Sequence, residues 1–171
     1  MGRISVKKDK KPYQLAREEL HLSREKASDL LGGITPERIE KFESDAHSPH
    51  PDEVLMMART YKKPLLCNYY CANECPIGKE YVPEIKAKDL SQIVLEILAS
   101  LNLIQKQRDR LIEITVDSTI AGEEVADFVH IQEELERISV MAETLQLWME
   151  QKLATGNIDK QAYEAYKKEK K

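Results

Sequence analysis

The chain has 171 residues, of which 42% are apolar and 33% charged, with a formal net charge of −4. That length allows one large or two small domains with a real core, and the composition excludes an intrinsically disordered chain. No apolar run approaches the roughly 20 residues that span a bilayer, and the N-terminus shows no signal-peptide pattern, so the expected setting is the cytoplasm, with no membrane partner. Only two Phe and one Trp are present, which leaves the core to Leu, Ile, Val, Ala and Met. Three cysteines are an odd number, which argues against a disulfide framework and for free thiols or a metal. Charge is unevenly spread. Residues 1–63 carry 13 Lys+Arg against 11 Asp+Glu, and the remaining 108 carry 13 against 19. Positive charge near one end and negative charge beyond it suit a reader of DNA with an acidic partner domain.

Residues 1–11 (MGRISVKKDKK) hold five basic residues and one Asp and end at Pro12. They form a basic arm, either solvated or laid along phosphates, where each neutralised phosphate adds salt-sensitive affinity. Residues 13–20 make a first helix, with Leu15, Ala16 and Leu20 as its apolar stripe and Arg17 outside. Ser23 then caps a second helix, with Lys26 where a capping-box Glu would sit and Glu25 favouring the positive helix start. Ala27, Leu30 and Leu31 line one face of it. Gly32-Gly33 stops it at low cost, because glycine tolerates the left-handed conformation of many helix ends. Thr35 caps a third helix that begins on Pro36, where a missing N–H costs nothing. Ile39 and Phe42 face inward, leaving Glu37, Arg38, Glu40 and Lys41 outside. Two caps and a glycine turn within 22 residues predict a helix-turn-helix. Residues 44–51 are a loop by composition, and a fourth helix runs from Pro51 or Asp52 to Tyr61 with Val54, Leu55 and Ala58 inward. Pro64 opens a fifth segment, PLLCNYYC.

The block 13–69 resembles the phage-repressor-like (Cro/cI, also called XRE) helix-turn-helix family of transcriptional regulators. The resemblance rests on Ala16-Arg17 in the first helix, Leu22-Ser23 opening the second, Leu30-Leu31-Gly32 before the turn and Ile34-Thr35 after it. Ile39 and Glu43 follow in the third helix, then a Pro-containing loop and Leu55, Ala58 and Tyr61 in the fourth. It implies a five-helix domain that binds double-stranded DNA. The third helix would lie in the major groove with Thr35, Glu37, Arg38 and Lys41 nearest the bases and backbone, and Arg24 would sit over a phosphate. Arg38 is the expected guanine reader, because its fork matches O6 and N7. Two features depart from the family pattern. The turn is one residue longer, since Gly33 has no counterpart, and the recognition helix is acidic, with Glu37 and Glu40 where uncharged polar residues are commoner. A carboxylate facing DNA is repelled by phosphate and accepts only from a cytosine amino group among common base contacts, although Lys41 at i+4 is placed to neutralise Glu37.

Cys67, Cys71 and Cys75 fall at i, i+4 and i+8 in LCNYYCANECPIGK. On one continuous helix they line a face and cannot surround an ion; if the helix ends near Cys71 the thiolates could converge. Their spacing matches neither the usual zinc pairs nor the ferredoxin run, despite Cys75-Pro76. His47 or His50 is the available fourth ligand. The competing reading makes Cys67 and Cys71 small packing residues and places Cys75 in a turn. The expected cofactor is therefore none, with a metal or iron–sulfur cluster as the alternative.

Residues 76–88, with Gly78 and Pro83, read as a linker or irregular arm. From Asp89 the pattern becomes long helix, with Leu90, Ile93, Val94, Ile97, Leu98, Leu101, Ile104, Leu111 and Ile112 at spacings of three and four. A second long helix starts near Glu123 or Glu124 and runs to about Leu153, carrying Val125, Phe128, Val129, Leu135, Ile138, Met141, Leu145 and Trp148, with Gly156-Asn157 ending it. His130 on this helix is a surface or packing residue. Residues 158–171 give a short polar helix and a basic tail. Two antiparallel helices spanning about 40 Å at 1.5 Å per residue cannot cover both broad apolar faces alone. They must pack on the N-terminal domain or pair with a second hairpin as a four-helix bundle.

The expected architecture is therefore all-α: a basic arm over 1–11, a five-helix repressor-like helix-turn-helix domain over 12–75, a linker over 76–88, an antiparallel helical hairpin for dimerisation or signalling over 89–157, and the polar tail. The expected function is a sequence-specific DNA-binding regulator, a homodimer through its C-terminal helices. The alternative is a protein-interaction module whose helix-turn-helix no longer reads DNA. No phosphate-binding glycine loop, nucleophile–base arrangement or distinctive carboxylate pair points to an enzyme.

Overall fold

The computed structural model describes residues 10–116 and 119–169; the basic arm, apart from Lys10 and Lys11, and the last two lysines lie outside the described residues. These form nine helices and no strand: α1 (Pro12–Glu19), α2 (Arg24–Leu31), α3 (Pro36–Glu43), α4 (Pro51–Thr60), α5 (Leu65–Asn73), α6 (Pro76–Tyr81), α7 (Leu90–Ile114), α8 (Val125–Ala154) and α9 (Lys160–Glu169). They divide into two compact units. One takes the described residues through Glu84 and those from Met149 onward; the other is Ile85–Trp148.

In the first unit the capping residues act as their chemistry dictates. Ser23 Oγ accepts from the Lys26 N–H at 3.2 Å, and Thr35 Oγ1 from the Arg38 N–H at 3.3 Å. Gly32 ends α2 in the left-handed conformation at φ 64°. Between the two helices Ile34 is pulled into the core, joining Tyr13, Ala27, Leu31, Ile39, Phe42, Val54, Met57, Ala58, Tyr61 and Leu66. Helix α1 packs on α3 and α5, α2 on α3 and α4, and α5 on α4 and α6.

Four sequence expectations are corrected here. Helix α1 turns Tyr13, Gln14, Ala16 and Arg17 inward and leaves Leu15 and Leu20 exposed. Arg17 is inside because its fork finds a full set of acceptors there, described below, so pairing outweighs polarity. Leu30 is 60% exposed, because the two-turn α2 has room in its seam only for Ala27 and Leu31. On α4, Met57 rather than Leu55 fills the inward position. The fourth correction concerns residues 76–81, which are a helix and not an irregular arm. Pro76 starts α6, and Gly78 lets it close on α5: a Cβ at Gly78 would lie 2.0 Å from the Cys71 carbonyl oxygen.

Three helix ends turn without glycine. His21, Asp45 and Lys62 hold φ of 54°, 65° and 54°, just beyond α1, α3 and α4. Each corner is fastened by backbone bonds that reach back over it, Leu22 N–H to Arg17 O at 3.3 Å, Ala46 N–H to Lys41 O at 3.0 Å and Lys63 N–H to Ala58 O at 2.8 Å. These bonds satisfy carbonyls that the helix ends would otherwise leave bare.

Tyr61 is 1% exposed, and its hydroxyl has no hydrogen-bond partner among the described residues. Burial, with the Glu43 carboxylate nearby, pushes its phenol up to about 12. A group whose folded pKa is raised contributes stability below its unfolded value and loses it as pH climbs through the folded one. The first unit is therefore expected to lose about 2 kcal/mol of stability between pH 10 and 12 through this group. Urea unfolding at pH 9 and pH 12 checks it, and Tyr61→Phe should remove that part of the alkaline loss.

The last turn of α8 and α9 complete the first unit. Gln151 Nε2 donates to the Lys62 carbonyl at 2.9 Å, and Asp159 Oδ1 caps α9 by accepting from Gln161 and Ala162 N–H at 2.8 and 3.1 Å.

The second unit is the hairpin. Asp89 Oδ1 caps α7 by accepting from the Gln92 N–H at 2.9 Å. Arg110 on α7 meets Asp127 near the start of α8 at 2.7 Å, while Lys88 Nζ lies 4.0 Å from Met141 Sδ, so the two helices run antiparallel. Ile93 and Ile114 on α7 and Ile131 on α8 are fully buried, with Ser100, Glu134 and Thr144 buried beside them. The sequence pattern for α8 needs correcting. Val125, Val129 and Leu135 face solvent, and Ile131, outside the expected stripe, carries the seam. His130 is exposed, 3.7 Å from Glu133. Helix α7 keeps a second apolar stripe, Leu90, Val94, Leu98 and Leu101, between 39 and 52% exposed.

Candidate nucleic-acid interface

The two caps and the left-handed Gly32 set α3 against α2, so that one face of α3 is core and the other is open. Ile39 and Phe42 are the core side, and Thr35, Glu37, Glu40 and Lys41 are exposed on the other. Glu43, at the end of α3, is buried and acts as the hub of the domain's charge network. Its two carboxylate oxygens accept from Arg17 Nε at 2.6 Å and Arg17 Nη2 at 3.0 Å, a bidentate fork. Arg17 Nη1 also donates to the Leu22 carbonyl at 2.6 Å. Burial opposes the Arg17 charge, but these acceptors more than offset it and hold the guanidinium protonated.

The structure places the five candidate residues as follows. Arg24, at the first position of α2, donates from Nε to Glu43 at 2.9 Å and from Nη1 to Glu40 at 3.1 Å. Arg38 is held in the same way from the other side. Its Nε and Nη2 donate to the two oxygens of Glu53, the latter at 2.9 Å, and its guanidinium lies 5.2 Å from the Phe42 ring centroid. Thr35 is engaged in capping α3. Glu37 is fully exposed, and its carboxyl is held below the usual range by its own backbone N–H and by the Thr35 hydroxyl, with Lys41 contributing least. Lys41 is exposed and makes no ion pair among the described residues. The two forks nearest the open face are thus internally neutralised, and Lys41 is the cation that face offers.

Glu53 was not a candidate from the sequence. It is the third residue of α4, where it accepts from the His50 N–H at 2.7 Å, and its side chain is 10% exposed. Burial would raise its pKa, but Arg38 and the His50 N–H more than offset this and keep the carboxyl below its ordinary value. A Glu three residues after a helix cap is a readable signal. Its pairing with a residue 15 positions earlier is not.

Cys67 and Cys71 lie on α5 and Cys75 immediately before α6; all three are free and half-buried. Burial first, and then the neighbouring Cys71, push the Cys67 thiol up. No group of three or more His, Cys, Asp and Glu among the described residues could hold a metal ion. No helix among them is long and apolar enough to cross a membrane.

Residues 14–66 match the Helix-turn-helix family model, from α1 into the start of α5. That segment is a helix-turn-helix domain of the Cro/cI (XRE) type, and the match supports a DNA-binding regulator of that kind. Neither a curated protein nor a solved structure matches the chain.

Proposed function

We propose that this chain is a sequence-specific transcriptional regulator that binds a two-fold DNA site as a dimer. The observation that carries the reading is the capped turn itself, which leaves the outer face of α3, with Thr35, Glu37 and Lys41, open in a domain of a DNA-binding family. Helix α3 enters the major groove and Lys41 contacts the backbone beside it, while Arg24, already paired with Glu40 and Glu43, offers a phosphate only its remaining N–H donors at the start of α2. The two-fold partner is a second copy joined along the α7 stripe of Leu90, Val94, Leu98 and Leu101, whose spacing of four, four and three suits a four-helix bundle. Two recognition helices related by that axis then read two half-sites.

A second reading is favoured by one observation. With Arg24 and Arg38 both neutralised by glutamates and Glu37 and Glu40 exposed, the α3 face also suits a basic protein partner.

The test is enrichment from a pool of random duplex DNA at two salt concentrations. A two-fold site is expected, and Lys41→Ala should weaken binding evenly across sequences while lowering the salt slope by about one. Folded protein that enriches nothing at low salt would leave the interaction module in front. For the dimer, sedimentation should give twice the chain mass for the native protein, and Leu98→Glu should give a folded monomer with weaker DNA binding. A monomeric native protein would sink the four-helix assembly.

A further inference from the structure

We propose that Glu53 determines the base preference of α3 without touching DNA, by holding the Arg38 fork and so withdrawing a guanine reader from the groove face. The assignment rests on the DNA reading above and deepens it.

Three contacts hold Arg38 in place. Both oxygens of Glu53 accept from its Nε and Nη2, and the Phe42 ring lies 5.2 Å from its guanidinium. Glu53 is held from its own side as well, since the same carboxylate accepts the His50 N–H at the start of α4. Its side chain is 10% exposed. Guanine offers Arg38 the same two-acceptor geometry through O6 and N7, but without a charge. A carboxylate is the stronger acceptor for a guanidinium, and removing Arg38 would leave Glu53 charged, largely desolvated and with one remaining donor. Guanine therefore does not displace Glu53. Arg38 is a positioning residue that ties α3 to α4, and the groove-facing groups are those exposed beside it, Thr35, Glu37 and Lys41. Glu53 thus does two things at once: it caps α4 and it decides which side chain of α3 is free.

Glu53→Gln keeps the shape and an acceptor for the His50 N–H but gives up the charge and one of the two acceptors that hold the fork. Four full-length proteins are compared in the same random-duplex enrichment: native, Arg38→Ala, Glu53→Gln and the double variant, with a melting curve for each. If Arg38→Ala does not fold, Arg38→Lys replaces it, keeping the charge and losing the fork. Native protein and Arg38→Ala should enrich the same bases. Glu53→Gln should enrich a site with one added guanine per half-site, preferred roughly ten- to a hundredfold over other bases, and the double variant should lose it. A structural role alone would move the melting curves and leave the bases unchanged. A guanine in the native site that Arg38→Ala abolishes would overturn the assignment, as would an unchanged site with Glu53→Gln. Enrichment by Glu53→Gln alone, with an Arg38-dependent guanine, would support it even where the native protein selects nothing. No enrichment by any folded member removes the DNA reading and this assignment together.

Discussion

Replacing Arg17 by alanine is expected to destabilise the N-terminal unit by about 3–5 kcal/mol, a large share of the roughly 5–15 kcal/mol that holds a typical domain folded. The guanidinium is 8% exposed and Glu43 1% exposed, and the pair closes α1 onto the end of α3 through two parallel hydrogen bonds. Truncation leaves the Glu43 carboxylate buried, and the Leu22 carbonyl loses its donor as well. Arg24 still reaches Glu43 at 2.9 Å, which sets the loss toward the lower end of that range. Arg17→Lys should recover only part, because an ammonium cannot serve both oxygens as a planar fork does. Urea unfolding followed by circular dichroism measures each variant. A loss below about 1 kcal/mol for Arg17→Ala would mean that the network is far better solvated than its burial indicates.

The second large effect is expected at Gly78. A methyl group there would meet the Cys71 carbonyl oxygen at 2.0 Å, the carbonyl carbon at 2.6 Å and the α-carbon at 2.9 Å. All three belong to the backbone of α5, so no rotamer change can make room. Gly78→Ala should push α6 off α5 at a cost of about 3 kcal/mol, the upper end of overpacking penalties. The loss is local, and hydrogen exchange should show it as lost protection at Lys79 and Val82, whose N–H groups bond to Cys75 and Gly78 carbonyls at 2.9 and 2.7 Å. Unchanged protection in Gly78→Ala would show that α6 is not held by this approach.

The parts of the fold that were legible in the sequence are those specified by local chemistry. Ser23 and Thr35 accept an N–H from the first turns of their helices, Pro36 fixes φ and Gly32 admits the left-handed turn, and together they delimit α2 and α3 to within a residue. Periodicity placed α7 and α8 but mistook which stripe packs. Leu135 and Ile131 have equal claims to a seam on hydrophobicity alone, and only the partner helix chooses between them. Arg17 shows the same limit more sharply. Its burial follows from Glu43, 26 residues away, and no local pattern carries that distance. At the candidate interface, helical spacing placed Glu37, Glu40 and Lys41 outside, where the structure has them, while Thr35 came in through the family resemblance. The engagement of Arg24 and Arg38 was hidden because each fork is held across two helices. The helix at Pro76–Tyr81 was obscured by Gly78, read as a breaker when it is a contact.

The left-handed residues at His21, Asp45 and Lys62 bear on how this domain can drift in evolution. Each sits where a side chain branched at Cβ would clash with its own backbone, so Val, Ile and Thr are expected to be excluded from all three positions. Asn, Asp and Gly should pass freely, because they enter that conformation at the least cost. None of the three side chains belongs to the buried core. Substitution there is therefore filtered by the shape of the backbone more than by packing, with charge entering at Asp45, whose carboxylate pairs with Lys11 at 2.7 Å; these corners are intolerant of branching.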